Sequence, residues 1–242
     1  MTDFQTLLNE RGVLIADGAT GTNYFALGLE TGYPPELWNI EHPARVKGLH
    51  RQFLDAGSDL ILTNSFGGTS FRLKLHNAQD RVHELNMAAA TLAREAADEH
   101  ASETGRTVLV AGSMGPTGEL FAPLGPLDHA GAVAGFADQA EALAEGGVDL
   151  LWIETISSLE EVNAALEAAR KTGLKVAATM TFDTAGKSMM GVDPADYARH
   201  VASAGAVALG GNCGVGPAEL MHSILAMQGE MDAAHDTPLI AK

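Results

Sequence analysis

Several residue types are scarce in this sequence, and each scarcity argues against a class of protein. A single cysteine, Cys213, excludes an internal disulfide and fits a reducing cytoplasm. Fifteen lysine and arginine residues against 31 aspartate and glutamate residues give a formal charge of −16, which opposes binding to nucleic acid or to an anionic membrane. No apolar run approaches the length that crosses a bilayer, and the polar residues 1–12 do not have the pattern of a signal peptide.

The residues that are abundant predict one folded α/β domain. Hydrophobic residues make up 46% of the chain and charged residues 19%, which is ample for a buried core and argues against disorder. A length of 242 residues suits one large α/β domain. No linker or low-complexity tract divides the sequence, so we expect residues 1–242 to form a single domain.

Short apolar runs alternate with amphipathic stretches along the whole chain. Each run is almost continuously hydrophobic, which is typical of a parallel strand buried on both faces. We therefore predict strands at Val13–Ala19, Asp59–Ser65, Thr107–Met114, Asp149–Ile156, Lys175–Phe182, Ala206–Cys213 and Pro238–Lys242. The stretches between them predict helices. Ser158 and Glu161 form a capping box, and Phe71–His100 is long enough for one extended helix or two in succession.

Alternation of strands and helices leaves two architectures, an open doubly wound sheet and a closed barrel. An open nucleotide-binding sheet would usually carry a glycine-rich turn after its first strand and an acidic residue about 20 positions further on. The turn at Asp17–Thr22 has the wrong glycine spacing for that. We therefore predict an α/β fold of the (β/α)8 TIM barrel type. Because seven strands are countable, the barrel would be truncated in or just after the seventh strand.

In a barrel, catalytic groups lie at the carboxyl ends of the strands, and here those ends carry small polar and acidic residues. Asp17 and Glu154 could together hold an ammonium group. Backbone N–H groups in the glycine-rich turns, with Thr63 and Ser65, could hold a carboxylate. An amino acid carries both charges, so these strand ends predict an amino-acid ligand. Cys213 lies among glycines, where a thiolate could ligate zinc.

Each of these residues also has a purely structural interpretation. Asp17 precedes Gly18 and could serve the turn alone. Glu154 is harder to dismiss, because a buried glutamate needs a partner. A lone cysteine such as Cys213 is more often a small buried hydrophobe than a ligand. The nine histidines fall mostly on predicted helices or loops without metal-ligand spacing, so we expect surface or packing roles for them.

Taken together, the strand ends resemble the homocysteine S-methyltransferase family. Five segments match in the family's order and span nearly the whole chain: ADGATGT at Ala16–Thr22, AGSDLILTNSFGG at Ala56–Gly68, AGSMGPTGE at Ala111–Glu119, GGVDLLWIETI at Gly146–Ile156 and GGNCGVGP at Gly210–Pro217. The segments look closer to the homocysteine module of cobalamin-dependent methionine synthase and to bacterial stand-alone enzymes, including betaine–homocysteine methyltransferases, than to the animal betaine enzymes.

The resemblance implies a barrel that holds one zinc ion on three cysteine thiolates, the first of which matches Cys213. It implies homocysteine with its sulfur on the metal. The amino and carboxylate groups would be held by residues matching Asp17, Gly18, Thr63, Ser65, Glu154 and Asn212. Zinc coordination would remove the thiol proton, and the thiolate would attack an activated methyl group to give methionine. In this scheme Cys213 and Glu154 are the catalytic residues.

The sequence departs from the family at the metal site. The other two ligands belong to a late glycine-glycine-cysteine-cysteine-glycine motif, whereas this sequence stops at Lys242 and contains no second cysteine. We therefore expect the chain to be part of a longer protein. If it were the whole product, weak or absent zinc binding and no methyl transfer would follow.

Three functions remain open, with methyl transfer to homocysteine ahead of the others. The second is a catalytically silent amino-acid-binding module that lacks the full zinc site. The third is a barrel aldolase with a Schiff-base lysine, which is disfavoured because Lys175 lies at the wrong end of its strand and Lys242 ends the last strand at a chain terminus. The methyl donor is also open, since betaine, S-methylmethionine or a methylated corrinoid on a separate protein would each suit this acceptor.

Overall fold

The structure, a computed structural model, describes residues 3–231 and 237–242. Within them, parallel strands form one sheet in which each strand pairs with the next along the chain. They are β1 (Leu60–Leu62), β2 (Leu109–Met114), β3 (Leu150–Ile156), β4 (Lys175–Met180), β5 (Ala208–Gly211) and β6 (Leu239–Ala241). A doubly wound sheet reverses its order at a switch point. The order β1 to β6 contains no reversal, so the sheet has the strand order of a barrel, as the sequence predicts.

Most of the helices alternate with the strands, and the longer ones cover the outer face of the sheet. They are α1 (Phe4–Arg11), α2 (Gly21–Ala26), α3 (Trp38–Glu41), α4 (Pro43–Asp55), α5 (Ser70–Leu73), α6 (Val82–Thr104), α7 (His129–Glu145), α8 (Leu159–Arg170), α9 (Pro194–Ser203) and α10 (Pro217–Glu230). Short 3-10 turns lie at Pro35–Leu37, Lys74–His76 and Gln79–Arg81. No helix in the described part of the chain is both long and apolar enough to cross a membrane.

The sheet separates two apolar cores. On the inner face, side chains such as Leu62, Leu109 and Trp152 pack with Phe4 and Leu7 of α1. The outer face packs against helices α4 and α6 to α10. Since α1 packs against the inner face near the amino ends of the strands, the carboxyl ends are left free to form a site.

The first predicted strand, Val13–Ala19, is reduced to a single parallel bridge between Ala16 and Leu60. The backbone carbonyl of Ile15 still accepts from the N–H of Leu60 at 3.2 Å. Further along, the side chain of Asp17 accepts the N–H of Leu62 at 2.8 Å. A carboxylate thus replaces the backbone carbonyl that a longer strand would supply, which ends the ladder at this point.

The predicted capping box is half correct. The hydroxyl of Ser158 accepts from the N–H of Glu161 at 3.2 Å and caps α8. The carboxylate of Glu161 does not return to the cap. It accepts instead from the N–H and the hydroxyl of Thr117, at 2.8 and 2.6 Å. Glu161 therefore fastens the loop after β2 to the start of α8.

The stretch Phe71–His100 resolves into two helices, α5 and α6, which is one of the two outcomes that the sequence allows. Asn77 separates them in a left-handed conformation with φ of 55°. Asparagine adopts this conformation more readily than other residues with a side chain. The backbone therefore turns between the short helix and the long one.

Helices α6 and α7 approach each other closely at Gly146, and a substitution there tests how they pack. A β-carbon on Gly146 would lie 2.4 Å from the β-carbon of Ala90 and 2.9 Å from the carbonyl oxygen of Met87. We expect Gly146→Ala to lower the free energy of unfolding by about 1–3 kcal/mol, because neither atom can move unless α6 moves. Urea unfolding measures the change.

The matched control is Gly48→Ala in α4, where an added β-carbon meets nothing within 4 Å. Alanine favours a helix over glycine, so this variant should gain up to about 1 kcal/mol. Equal unfolding midpoints for Gly146→Ala and the unmodified chain would show that the two helices are not in this close contact.

Candidate functional site

A cavity of about 1070 Å³ opens at the carboxyl ends of the strands. The seven side chains and turns singled out in the sequence all line it: Asp17, Gly18, Thr63, Ser65, Glu154, Asn212 and Cys213. Cys213 is exposed, so its interpretation as a buried hydrophobe is wrong. The structure therefore gathers the candidate residues in one place, and their contacts with a ligand stay a prediction.

Asp17 places a buried carboxylate against the cavity. One oxygen, Oδ2, accepts the N–H of Leu62 at 2.8 Å, which anchors the side chain to the end of β1. The other, Oδ1, is buried and has no hydrogen-bond partner. Burial raises the pKa of the Asp17 carboxyl from 3.8 to about 6, although the nearby ammonium of Lys242 acts to lower it. Buried hydrogen-bond acceptors normally have a donor, and a bound ligand can provide the donor that Oδ1 lacks.

Glu154 owes its position to a bulge in β3. The pairing of β3 with β4 shifts register between Ile153 and Ile156, and Thr155 adopts a φ of 62°. Such bulges re-aim side chains next to active sites. The carboxylate of Glu154 lines the cavity and accepts a short hydrogen bond from the hydroxyl of Ser113 on β2.

Lys242 stands between these two carboxylates, a position that sequence reasoning missed. Its Nζ lies 3.4 Å from Oδ1 of Asp17 and 3.8 Å from Oε2 of Glu154. Burial acts to lower the pKa of Lys242, but the two carboxylates outweigh it and raise the value above 10.5. The signal was present in the sequence, since Lys242 ends the last predicted strand as the other candidates end theirs.

Asn212 ties the end of β5 to the bulge in β3. Its Oδ1 accepts the N–H of Thr155 at 3.0 Å, and its Nδ2 donates to the hydroxyl of Thr155 at 2.7 Å. The same Nδ2 donates to Sγ of Cys213 at 3.3 Å. Cys213 has a φ of 59° and Thr155 has a φ of 62°. The two residues that the Asn212 side chain contacts therefore both adopt left-handed conformations. Strain of this kind clusters at functional sites.

The hydroxyls of Thr63 and Ser65 form a closed set of hydrogen bonds with Ser113. The N–H of Ser113 donates to Oγ1 of Thr63 at 2.9 Å, and Oγ of Ser65 donates to the carbonyl of Ser113 at 2.7 Å. The two hydroxyl oxygens are 2.6 Å apart. Since each hydroxyl has one hydrogen, Thr63 donates to Ser65. In this arrangement neither hydroxyl has a hydrogen left to donate to a ligand.

Three buried polar side chains behind the cavity support the loop Ser65–Gly68. Gln139 donates to the carbonyl of Ser65 at 2.7 Å, and Asn86 donates to the carbonyl of Gly68 at 2.8 Å. Glu36 accepts the N–H of Gly67 at 2.6 Å, and burial raises the pKa of this carboxyl. Nothing in the sequence pattern marks these residues, because each acts on a loop distant in the chain.

The metal site implied by the sequence resemblance is incomplete among the described residues. They contain no group of three histidine, cysteine, aspartate or glutamate side chains placed to hold a metal ion. Cys213 is the one cysteine of the sequence. A zinc ion in a protein usually takes four ligands. Among the described residues, Cys213 therefore fits at most one of the four ligand positions of a zinc ion.

Comparison with known proteins agrees with the fold and with the family resemblance of the sequence. A family model described as homocysteine S-methyltransferase matches residues 14–242. The chain belongs to the homocysteine S-methyltransferase family. Each of the five motifs of this family member supplies at least one residue that lines the cavity, with Ser113 representing the third motif.

Two relatives of this homocysteine S-methyltransferase domain are much longer proteins. Methionine synthase from Mycobacterium tuberculosis is 31% identical over 233 residues, which cover 90% of this chain and 19% of the relative. Methionine synthase from Mycobacterium leprae is 29% identical over 233 residues, which again cover 90% of this chain and 19% of the relative. The chain thus spans about a fifth of the length of these relatives.

A structural neighbour is closer in size. The homocysteine methyltransferase MmuM from Escherichia coli, in its metallated form, superposes with a TM-score of 0.83 at 25% identity. The match covers 98% of this chain and 85% of that one. Its oxidized form gives a TM-score of 0.81. The arrangement of strands and helices is therefore that of a homocysteine S-methyltransferase barrel.

The raised pKa of Asp17 predicts a specific pH dependence of stability. Because its value is about 6 in the folded protein and 3.8 in the unfolded chain, ionising Asp17 destabilises the fold increasingly between about pH 4 and pH 6. Asp17→Asn removes this cost and keeps an acceptor for Leu62. The stability of the variant relative to wild type should rise by on the order of 1–3 kcal/mol between about pH 4 and pH 7.5.

Urea unfolding of both proteins at the two pH values measures this change. The comparison at low pH is the control, since Asp17 is protonated in the folded protein there and its raised pKa costs little stability. A relative stability that does not vary with pH would contradict the buried, destabilised carboxylate.

Proposed function

We propose that this chain binds homocysteine and acts as the acceptor module for transfer of a methyl group to the homocysteine sulfur, which gives methionine. The observation that carries the proposal is the pair of carboxylates, Asp17 and Glu154, that face one cavity in a member of this family. The unpartnered Oδ1 of Asp17 supports an ammonium ligand, because it is a buried acceptor without a donor. Both carboxylates would bind the amino group of the substrate.

The side chains of this chain bind and orient the amino acid in the proposed complex. Asp17 and Glu154 take the ammonium, and the turns at Gly18 and Thr63–Ser65 lie around the carboxylate. The sulfur extends toward Cys213, with Asn212 holding that end of β5 in place. Fixing both charged groups of the substrate limits its orientation, which raises the rate of a bimolecular transfer.

Cys213 is proposed as one ligand of a zinc ion. The metallated form of MmuM supports a metal in this family. The described residues do not complete the ligand set, and the sequence has no second cysteine, so further cysteine ligands would have to come from outside these 242 residues. The zinc-dependent role of Cys213 therefore depends on a more complete protein.

The donor is proposed as a small activated methyl compound or a methylated corrinoid. Betaine and S-methylmethionine are small enough to share a cavity of about 1070 Å³ with an amino acid. A methylated corrinoid would have to be carried on a separate domain or protein, and the methionine synthase relatives extend far beyond the matched segment. Methionine formation with each donor in turn identifies the one used.

One observation favours a second candidate function. With one cysteine and no metal-binding group of three side chains among the described residues, the chain retains the ammonium site but only one candidate zinc ligand. A protein in this state would bind homocysteine without transferring a methyl group. Binding of homocysteine by protein that contains no zinc and forms no methionine with any of the donors would support this amino-acid-binding module.

The carboxylate pair gives a direct test of the proposed binding mode. Glu154→Gln keeps an acceptor for Ser113 and removes the charge. We expect its dissociation constant for homocysteine to rise roughly 10- to 100-fold, because a hydrogen bond to a charged group contributes about 1.5–3 kcal/mol. Isothermal titration calorimetry with homocysteine measures the change.

The control ligand is 4-mercaptobutyrate, which lacks the amino group and should bind both proteins equally. The control variant is Glu167→Gln, which removes an exposed carboxylate paired with His129 at 2.9 Å, far from the cavity. Unchanged homocysteine affinity in Glu154→Gln would refute the ammonium site.

The zinc proposal is tested with Cys213→Ser in protein that contains the complete metal site. We expect the variant to lose zinc and methionine formation together, because serine is a poor zinc ligand compared with a thiolate. Elemental analysis gives the zinc content, and methionine formation is assayed with each candidate donor. Full zinc content and normal activity in Cys213→Ser would rule out this ligand.

A further inference from the structure

The ammonium of Lys242 already occupies the space between Asp17 and Glu154. Its Nζ lies 3.4 Å from the first carboxylate and 3.8 Å from the second, and its side chain is 18% exposed. The group at the end of that side chain is chemically the same as the amino group of an amino acid. The position proposed for the amino group of the substrate is thus filled by an ammonium of the chain itself.

This contact neutralises charge without completing a hydrogen bond. Ammonium–carboxylate hydrogen bonds usually measure about 2.7–2.9 Å, and both distances from Lys242 are longer. Oδ1 of Asp17 accordingly remains without a hydrogen-bond partner. Lys242 therefore balances the buried carboxylates but leaves the hydrogen bonding of Asp17 incomplete.

The cavity cannot hold two ammonium groups in the same place. A substrate amino group close enough to bond both carboxylates would overlap with Nζ of Lys242 or lie against it, and like charges at such a distance repel. Binding of an amino acid therefore requires that Lys242 move.

The backbone of Lys242 is fixed while its side chain is free to turn. Its N–H donates to the carbonyl of Gly211 at 3.1 Å, and its carbonyl accepts the N–H of Cys213 at 3.2 Å, so it extends the ladder of β5 and β6. The side chain is an unbranched stem of four carbons whose bonds rotate freely. It can leave the two carboxylates for the open part of the cavity without disturbing the sheet.

We propose that Lys242 is a displaceable internal counter-ion: its ammonium occupies the amino-group subsite when the site is empty, and an incoming amino acid exchanges its own ammonium for it. This inference rests on the proposed function, since it assumes that Asp17 and Glu154 bind the substrate amino group. Lys242 thereby keeps two buried carboxylates compensated in the free protein and selects for ligands that carry an equivalent positive charge.

The first test measures the affinity of 2-aminobutyrate, an α-amino acid that has no sulfur and so binds without any contribution from a metal. Lys242→Met removes the charge and keeps the length of the side chain. At about pH 7.5, above the pKa of Asp17, we expect this variant to bind roughly fivefold more tightly than wild type, because it has no competing ammonium. Calorimetry measures both affinities.

Lys47→Met is the matched control. Lys47 also lies between two carboxylates, at 3.1 Å from Glu95 and 2.7 Å from Glu99, but outside the cavity. It should bind 2-aminobutyrate as wild type does. Butyrate, which lacks the ammonium, should show no gain in Lys242→Met, because it has nothing to exchange.

A second test uses the wild-type protein and so does not depend on the folding of a variant. Acetic anhydride acylates free lysine amines, and mass spectrometry follows Lys242 and Lys47 separately. The exchange predicts that 2-aminobutyrate raises the rate at Lys242 severalfold relative to the rate at Lys47, because the ligand releases the amine of Lys242 from the carboxylates. The ratio to Lys47 corrects for reagent that the amine of 2-aminobutyrate consumes.

The outcomes separate this inference from the proposed function. Weaker binding in Lys242→Met, or protection of Lys242 by the ligand, would overturn the exchange and make Lys242 a direct contact of the ligand. Equal affinities with an unchanged acylation rate would also overturn it and leave the ammonium site intact. Failure of both 2-aminobutyrate and homocysteine to bind wild type would instead overturn the proposed function, and the exchange with it.

Discussion

Two carboxylates at the carboxyl edge of a parallel sheet have to be balanced by positive charge, and this constraint governs the site. Asp17 and Glu154 are both largely buried, and an uncompensated buried charge is costly. A backbone N–H, a serine hydroxyl and the ammonium of Lys242 together reduce that cost. None of them completes the hydrogen bonding of Asp17, so the free site stays complementary to a cationic donor.

The irregular backbone of the protein concentrates at the same edge. The bridge at Ala16, the bulge before Ile156 and the left-handed residues Thr155 and Cys213 all lie where strands end. Below them the register from β1 to β5 is regular and the side chains are buried. A rigid sheet can hold local strain that an isolated loop would relax. The regular core thus makes the precise placement of Glu154 and Asn212 possible.

The fold and most residues lining the cavity could be predicted from the sequence, because both depend on local pattern. Apolar runs mark buried strands, and the carboxyl ends of parallel strands meet at one edge, so the strand pattern alone places Asp17, Glu154 and Asn212 together. Contacts between distant segments could not be predicted in this way. Gln139 supports the loop at Ser65 from α7, and Glu161 turns from its own helix cap to Thr117. Nothing in either local sequence indicates the partner.

The positions proposed for the amino group and for the metal lie on different strand ends. The proposed ammonium site lies on Asp17, β3 and the end of β6, all within the described residues. The metal position has one candidate ligand there, at the end of β5. Since Asn212 bonds both Thr155 in the bulge of β3 and the sulfur of Cys213, it is the physical connection between the two parts. In the proposed complex, the orientation of the amino acid and the orientation of the Cys213 thiol would therefore both depend on this one amide.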